Sequence, residues 1–202
     1  MSAGRFVQET RTRLREGILD ATERLVLDGG WSSVTMAAVA ARVGVSRQTV
    51  YNDVGGKDAL GEALVLRELE GFLEVVGGEL SGGDDLVEAV ERTVEAVLAK
   101  ALDNPLLKDV LVSAHGGEPS LLPFLTTGSD QLLARATAVL VLVIGDRPDA
   151  PDVPEVDLER VCETVVRLVL SHVVHPGAAP DAVAADVGWL VRHVLASVTA
   201  TP

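Results

Sequence analysis

The chain has a single cysteine, Cys162, and aromatic side chains make up only 3% of its 202 residues. One cysteine cannot close an internal disulfide, which fits a reducing compartment, so the expected location is the cytoplasm. With aromatics scarce and 48% of residues hydrophobic, the core must be built mainly from Leu, Val and Ala. The longest apolar run, Ala136 to Ile144 broken by Thr137, falls far short of the roughly 20 residues that span a bilayer, so no membrane partner is expected. Arg5, Glu9 and Arg11 stand where an export signal would carry an apolar stretch. There are no internal repeats and no low-complexity tract.

Basic charge is also short. The net charge of −13 argues against binding nucleic acid through bulk electrostatics, because phosphate contacts dominate such affinity. The deficit is unevenly placed: residues 1–60 hold eight Lys/Arg against seven Asp/Glu, and residues 61–202 nine against twenty-three, or +1 and −14. In the first part the bases gather at Arg42, Arg47 and Lys57, and at Arg5, Arg11, Arg13 and Arg15. The acidic remainder should face away from any duplex and weaken non-specific binding.

Catalytic and metal constellations are missing too. His172 and His175 have ligand-like spacing, but no HxxxH, CxxC or nearby carboxylate pair completes a site for His115, His172, His175 or His193. Histidines near helix C-termini, favoured by the helix dipole, are the simpler reading. Cys162 lies in an apolar stretch and reads as core, and the Gly-Gly pairs lack the strand-to-helix context of a phosphate cradle. No enzyme, metal or cofactor is expected.

What is present lies between residues 33 and 60, SVTMAAVAARVGVSRQTVYNDVGGKDAL. Thr35 can cap a short helix whose inward face is Val39, Ala40 and Val43. Gly44 suits a tight turn with positive φ, which glycine accepts cheaply. Val45 tucks beneath that turn and Ser46 is a strong N-cap for the next helix. That helix buries Val50 and presents Arg47, Gln48, Thr49, Tyr51 and Asn52 outward. Small Ala40 lets the two helices cross closely. A short polar helix after such a turn suits the major groove, where these side chains can bond base edges.

The stretch closely resembles the DNA-binding domain of the TetR family of transcriptional repressors. The resemblance is carried by Thr35, Gly44-Val45, Ser46-Arg47, Thr49, Tyr51 and Lys57-Asp58-Ala59-Leu60, with Ile18-Leu19-Asp20-Ala21 and Gly30-Trp31 upstream. It covers the first third of the chain; the rest matches in length and helical character. Val54 replaces the family's usual aromatic and Gly55-Gly56 its usual Pro/Ser-containing link, which bears on how the next helix docks. On this reading Gln48, Thr49 and Asn52 read bases, with Arg47 on a base or a phosphate. Thr35, Tyr51 and Lys57 are the phosphate candidates, the first and last at helix starts where the dipole favours an anion. Tyr51 could equally be structural and Lys57 a free surface amine. Asp53 and Asp58 either repel phosphates or orient Arg47 and Lys57.

The fold class expected is all-α: a three-helix helix-turn-helix domain over 1–56, then a helical regulatory and dimerisation domain over 57–202, linked by the helix starting near Lys57. Apolar spacing predicts helices at Thr10–Leu27, Lys57 to about Val76, Asp84/Asp85 to Leu102, Pro105 to about Ala114, Glu118–Thr126, Ser129/Asp130 to Ile144, Asp157–Val174 and Asp181–Val198. AVLVLVI could be a buried strand, but helix is favoured because partner strands are missing. Gly145–Pro154, rich in Pro and Asp, reads as a mobile loop.

The last two helices are apolar on more than one face, which calls for burial on both sides. A homodimer seam through Val165, Leu168, Val169, Val187, Leu190, Val191 and Val194 answers that need, and the TetR resemblance implies the same. The resemblance further implies a double-stranded operator and release by a small molecule. The aliphatic second half suits an apolar ligand such as a fatty acid or acyl thioester, with Ser113, His115, Thr126, Thr127, Arg135, Arg167 and His172 as polar anchors. SLLPFLTTGSDQLL and RLVLSHVVHPG are similar to segments of regulators of lipid metabolism. The competing expectations are a DNA-binding protein without an effector, or an all-helical carrier or enzyme.

Overall fold

A computed structural model describes residues 3–83, 85–108, 121–126 and 128–199. The fold is all-α, with no strand among the described residues. The helices are α1 (Ala3–Ser33), α2 (Met36–Val43), α3 (Arg47–Val54), α4 (Lys57–Leu80), α5 (Leu86–Asp103), α6 (Leu122–Leu125), α7 (Asp130–Gly145), α8 (Glu155–Val174) and α9 (Pro180–Thr199). The expected helix from Pro105 is described only over 105–108, and the rest of it lies outside the described residues.

The described chain forms two compact units. The first contains α1–α3, the start of α4 up to Arg67, and the described part of 105–126; the second contains the remainder. In the first unit Ile18 and Val26 on the apolar stripe of α1 are fully buried, as are Val34, Val39, Val50, Leu60 and Leu64. Each such side chain contributes roughly 1.5–3 kcal/mol by leaving water. Gly29 and Gly30 interrupt the helical backbone of α1. Ser33 Oγ holds that break from 2.8 Å off the carbonyls of both Leu25 and Gly30, its single proton shared between them. Trp31 is buried, with the Phe124 ring edge-on 6.4 Å away. Arg67 ties α4 to α1 through Asp20 (2.7 Å) and Glu23 (2.5 Å).

In the second unit, Val183, Ala184, Val187 and Val191 of α9 pack with Leu86, Ala89, Val90 and Val94 of α5 and with Cys162 and Val165 of α8. Asp85 caps α5, accepting from Glu88 N at 3.0 Å. Gly188 of α9 lies so close to Glu91 of α5 that a Cβ there would overlap the Glu91 side chain.

Three expectations are corrected. First, α4 does not stop near Val76 but runs through Gly77-Gly78 to Leu80, because fully buried Leu80 anchors the final turn and outweighs the low helix propensity of glycine. Second, the Gly145–Pro154 segment is pinned rather than loose. Arg147, its side chain 3% exposed, donates to the carbonyls of Leu80, Gly82 (3.2 Å) and Gly83 (3.4 Å) and pairs with Asp149. Third, α8 and α9 do not need a partner on every side. Val165, Val187 and Val191, expected in a dimer seam, are buried inside the protomer because α5 covers that face. AVLVLVI is helical, as expected.

Candidate nucleic-acid interface

The site is assembled by two caps and one turn. Thr35 Oγ1 accepts from Ala38 N at 3.1 Å and starts α2. Gly44 then takes φ +81°, and the amides of Gly44 and Val45 both donate to Ala40 O, at 2.9 and 3.0 Å. A side chain at Gly44 would strain this left-handed backbone. Ser46 Oγ accepts from Thr49 N at 3.0 Å and starts α3. Val50 and Val54 anchor α3 in the core, while Arg47, Gln48, Tyr51 and Asn52 are exposed and Thr49 is half-buried. Gly55 closes the helix by donating to Tyr51 O at 2.9 Å, so the Val54-Gly55-Gly56 departure still yields a capped helix and a buried Val54.

The outward side chains are organised in pairs one helical turn apart. Gln48 Nε2 donates to Asn52 Oδ1 at 2.8 Å. Arg47 Nη2 donates to Tyr51 Oη at 3.2 Å, with the guanidinium carbon 5.3 Å from the ring centre. The Thr49 and Ser46 hydroxyls are 2.8 Å apart. With the amide orientation so assigned, Asn52 keeps its donors and Gln48 its carbonyl for another partner. Such an amide pair has the groups needed to bond adenine in the major groove.

The phosphate candidates differ in their surroundings. Thr35 and Tyr51 are exposed. Lys57 is turned inward, its amine donating to Trp31 O at 2.9 Å and standing 4.9 Å from the centre of the indole. Burial lowers its pKa from the ordinary lysine value, and Asp58 partly opposes the shift. Asp53 faces neither Arg47 nor Lys57: Arg11 and Arg15 approach its carboxylate at 3.7 Å. Arg42 pairs with Asp28 at 2.8 Å.

The ligand candidates of the second half are scattered. Ser113, His115 and Thr127 lie outside the described residues. Thr126 Oγ1 donates to Leu122 O, Arg135 pairs with Glu70, and His172 is half-buried in the last turn of α8. Arg167, paired with Glu163 at 2.6 Å, lines an open cavity of about 590 Å³ between α7 and α8. Leu133, Ala134, Ala138, Val141 and Leu142 supply its apolar wall, with Asp130, Glu155, Glu159 and Glu163 adding four acids. Thr137, absent from the expected set, also lines it and is buried with its hydroxyl unbonded. The one visible signal was a threonine interrupting an apolar run. Of the expected dimer residues, Leu168, Val169, Leu190 and Val194 keep partial exposure, beside Trp189, which is 58% exposed and stacked on His193. Among the described residues no group of three His, Cys, Asp or Glu side chains is placed to hold a metal ion.

Comparison with known proteins agrees with this geometry. Residues 18–64 match the bacterial regulatory proteins of the tetR family, and residues 85–193 match the bacterial tetracyclin repressor C-terminal domain. The chain is 31% identical to the HTH-type transcriptional regulator AlkX of Mycobacterium tuberculosis over 187 residues, covering 92% of this chain and 87% of that one. Its fold is similar to the crystal structure of the TetR family repressor AlkX from Dietzia sp. strain DQ12-45-1b, implicated in biodegradation of n-alkanes. The TM-score there is 0.73 at 26% identity, covering 90% of this chain and 97% of that one. The repressor QsdR of R. erythropolis shares the fold at a TM-score of 0.64 and 17% identity, covering 92% and 95%. A capped helix-turn-helix followed by this helical C-terminal domain leads to one assignment: the chain belongs to the TetR family of DNA-binding transcriptional regulators and is not an enzyme.

Proposed function

We propose that the protein is a repressor that binds a palindromic operator as a homodimer and leaves it when a small apolar effector binds. The observation that carries this reading is the outward face of α3, where Arg47, Gln48, Thr49 and Asn52 stand on a helix capped by Ser46 and anchored by Val50. Thr35 and Tyr51 supply phosphate contacts, and Lys57 could join them only by leaving Trp31. The functional division is 1–56 for DNA and 57–202 for regulation and self-association, with the dimer seam drawing on Leu168, Val169, Leu190 and Val194. Regulation requires the effector to prefer one of two conformations that differ in half-site spacing.

An effector with an aliphatic chain, a fatty acid or acyl thioester, is supported by the apolar wall of the α7–α8 cavity and by the n-alkane context of the Dietzia repressor. Four acids around that cavity and the pairing of Arg167 with Glu163 disfavour a free carboxylate, so a thioester carbonyl facing Thr137 is the better fit. The protein acts in the cytoplasm. Leu122–Gly145 has the length and hydropathy of a membrane span, but Leu132, Leu133, Ala136 and Ile144 are buried in the protein.

The test is selection of bound duplexes from random DNA by the full chain, followed by titration of the selected sequence. An inverted repeat is expected, with Gln48→Ala and Asn52→Ala each weakening binding by about 1–3 kcal/mol and relaxing one base position. Losses no larger than for a remote surface variant would reject the assignment. Mass spectrometry of the purified protein then looks for a bound acyl compound. If none is bound and no acyl compound alters operator affinity, the effector-independent reading replaces this one.

A further inference from the structure

We infer that Arg11 and Arg15 form a second DNA contact, a phosphate clamp held against the end of the recognition helix by the buried carboxylate of Asp53. This rests on the DNA-binding reading above and adds to it a surface outside the helix-turn-helix motif.

The first turns of α1 project beyond the packed unit. Residues 5–13 are all exposed, including Phe6 and Val7, and the first buried positions are Ile18 and Leu19. A helix segment without a buried face gains nothing from the core, so its side chains are available to a partner. The segment carries Arg5, Arg11, Arg13 and Arg15 against Glu9 and Glu16. Arg5 is paired with Glu9 at 3.2 Å, whereas Arg11 and Arg15, one turn apart, share a face of α1.

That face meets α3 at Asp53. Asp53 lies in the last turn of α3 with its side chain only 5% exposed. Arg11 Nε is 3.7 Å from one carboxylate oxygen, and Arg15 Nη1 is 3.7 Å from the other and donates to the Asp53 carbonyl at 3.1 Å. Asp53 Oδ2 makes no hydrogen bond. The carboxylate therefore draws both guanidinium groups toward α3 without engaging their donors fully, and Arg11 and Arg15 remain 68% and 47% exposed. Each guanidinium presents a rigid fork that matches a phosphate. A helix lying in the major groove is bordered by the sugar-phosphate strands, so cations fixed to its last turn reach the flanking backbone. A phosphate there also supplies the second anion that two converging arginines need.

The experiment titrates the full chain on the duplex it selects, from about 50 to 200 mM KCl, and compares the slopes of log affinity against log salt. Arg11→Ala and Arg15→Ala should each reduce the slope by about 0.9, the expectation for one phosphate contact, with the selected bases unchanged. Arg11→Lys and Arg15→Lys should retain the slope, and Arg160→Ala, an exposed arginine on α8, should leave it at the parent value. Parent-like slopes for both alanine variants would overturn the clamp while leaving the DNA-binding reading intact. Failure of the intact chain to bind any duplex would overturn both.

Discussion

The amine of Lys57 and the carbonyl of Trp31 are joined at 2.9 Å, tying the first residue of α4 to the residue just beyond the Gly29-Gly30 break in α1. The amine also stands over the indole, 4.9 Å from its centre. Hydrogen bonds from charged donors contribute about 1.5–3 kcal/mol and cation–π contacts about 0.5–1, but desolvation of the amine opposes both. Lys57→Ala is therefore expected to cost on the order of 1 kcal/mol in urea unfolding, with an unchanged salt dependence of operator binding. A slope lowered by about 0.9 would instead mean that the amine leaves Trp31 for a phosphate.

Arg147 predicts a larger effect. Its guanidinium serves the carbonyls of Leu80, Gly82 and Gly83 at a site nearly closed to water. Removing one partner of a buried ionic cluster typically costs about 3–5 kcal/mol, because what remains is left unpaired. Arg147→Met should fall near the lower end, since its stem preserves some packing, and thermal unfolding followed by circular dichroism measures it. A loss below about 0.5 kcal/mol, the level of an ordinary surface substitution, would contradict the anchoring role.

Asp149 makes that anchor sensitive to pH. Its hydrogen bonds from Arg147 hold its carboxyl below the ordinary carboxylate range, against a smaller opposing effect of burial. A pKa depressed by folding contributes stability that is present above the unfolded value and lost as pH falls through the folded one. Asp149→Asn should thus be less stable than the parent at neutral pH, and the gap should close on acidification. Parallel stability curves from pH 7 down to about pH 2 would refute the coupling.

Cys162 should be inert while the protein is folded. Burial pushes its thiol up to about 11, from an ordinary value of 9.0. The thiolate is the reactive form, so at pH 8 a disulfide reagent should label the chain only as it unfolds. A thiol whose pKa is raised by folding contributes stability below its unfolded value, and that contribution declines as pH rises past 9.0. Fast labelling of the native protein would show that the α5–α8–α9 core opens readily.

Local patterns carried much of the fold. Thr35, Gly44 and Ser46 act within a few residues of themselves, through caps and a positive φ, so their roles could be read from residue type and spacing. The helical character of residues 57–76 and 86–102 was legible for the same reason, since apolar periodicity is a property of neighbouring residues, whereas AVLVLVI, equally strand-like locally, is read as helix only for want of partner strands. Long-range pairing was not. Nothing near Arg147 in the chain announces that Leu80 and Gly82 need a donor, nothing near Asp53 announces Arg11 and Arg15, and nothing near Lys57 announces that its amine turns in to Trp31.

The sequence by itself determined the class of protein: a capped, glycine-turned pair of short helices with an amide-bearing outer face, followed by an acidic, aliphatic helical domain. The tertiary structure alone decided which apolar faces were already covered, placing Val165, Val187 and Val191 in the protomer core and leaving Trp189 outside. The physical reason is that a helical stripe shows that burial is needed but not what supplies it, and here α5, far away in sequence, covers most of α9 while α7 and α5 together cover α8.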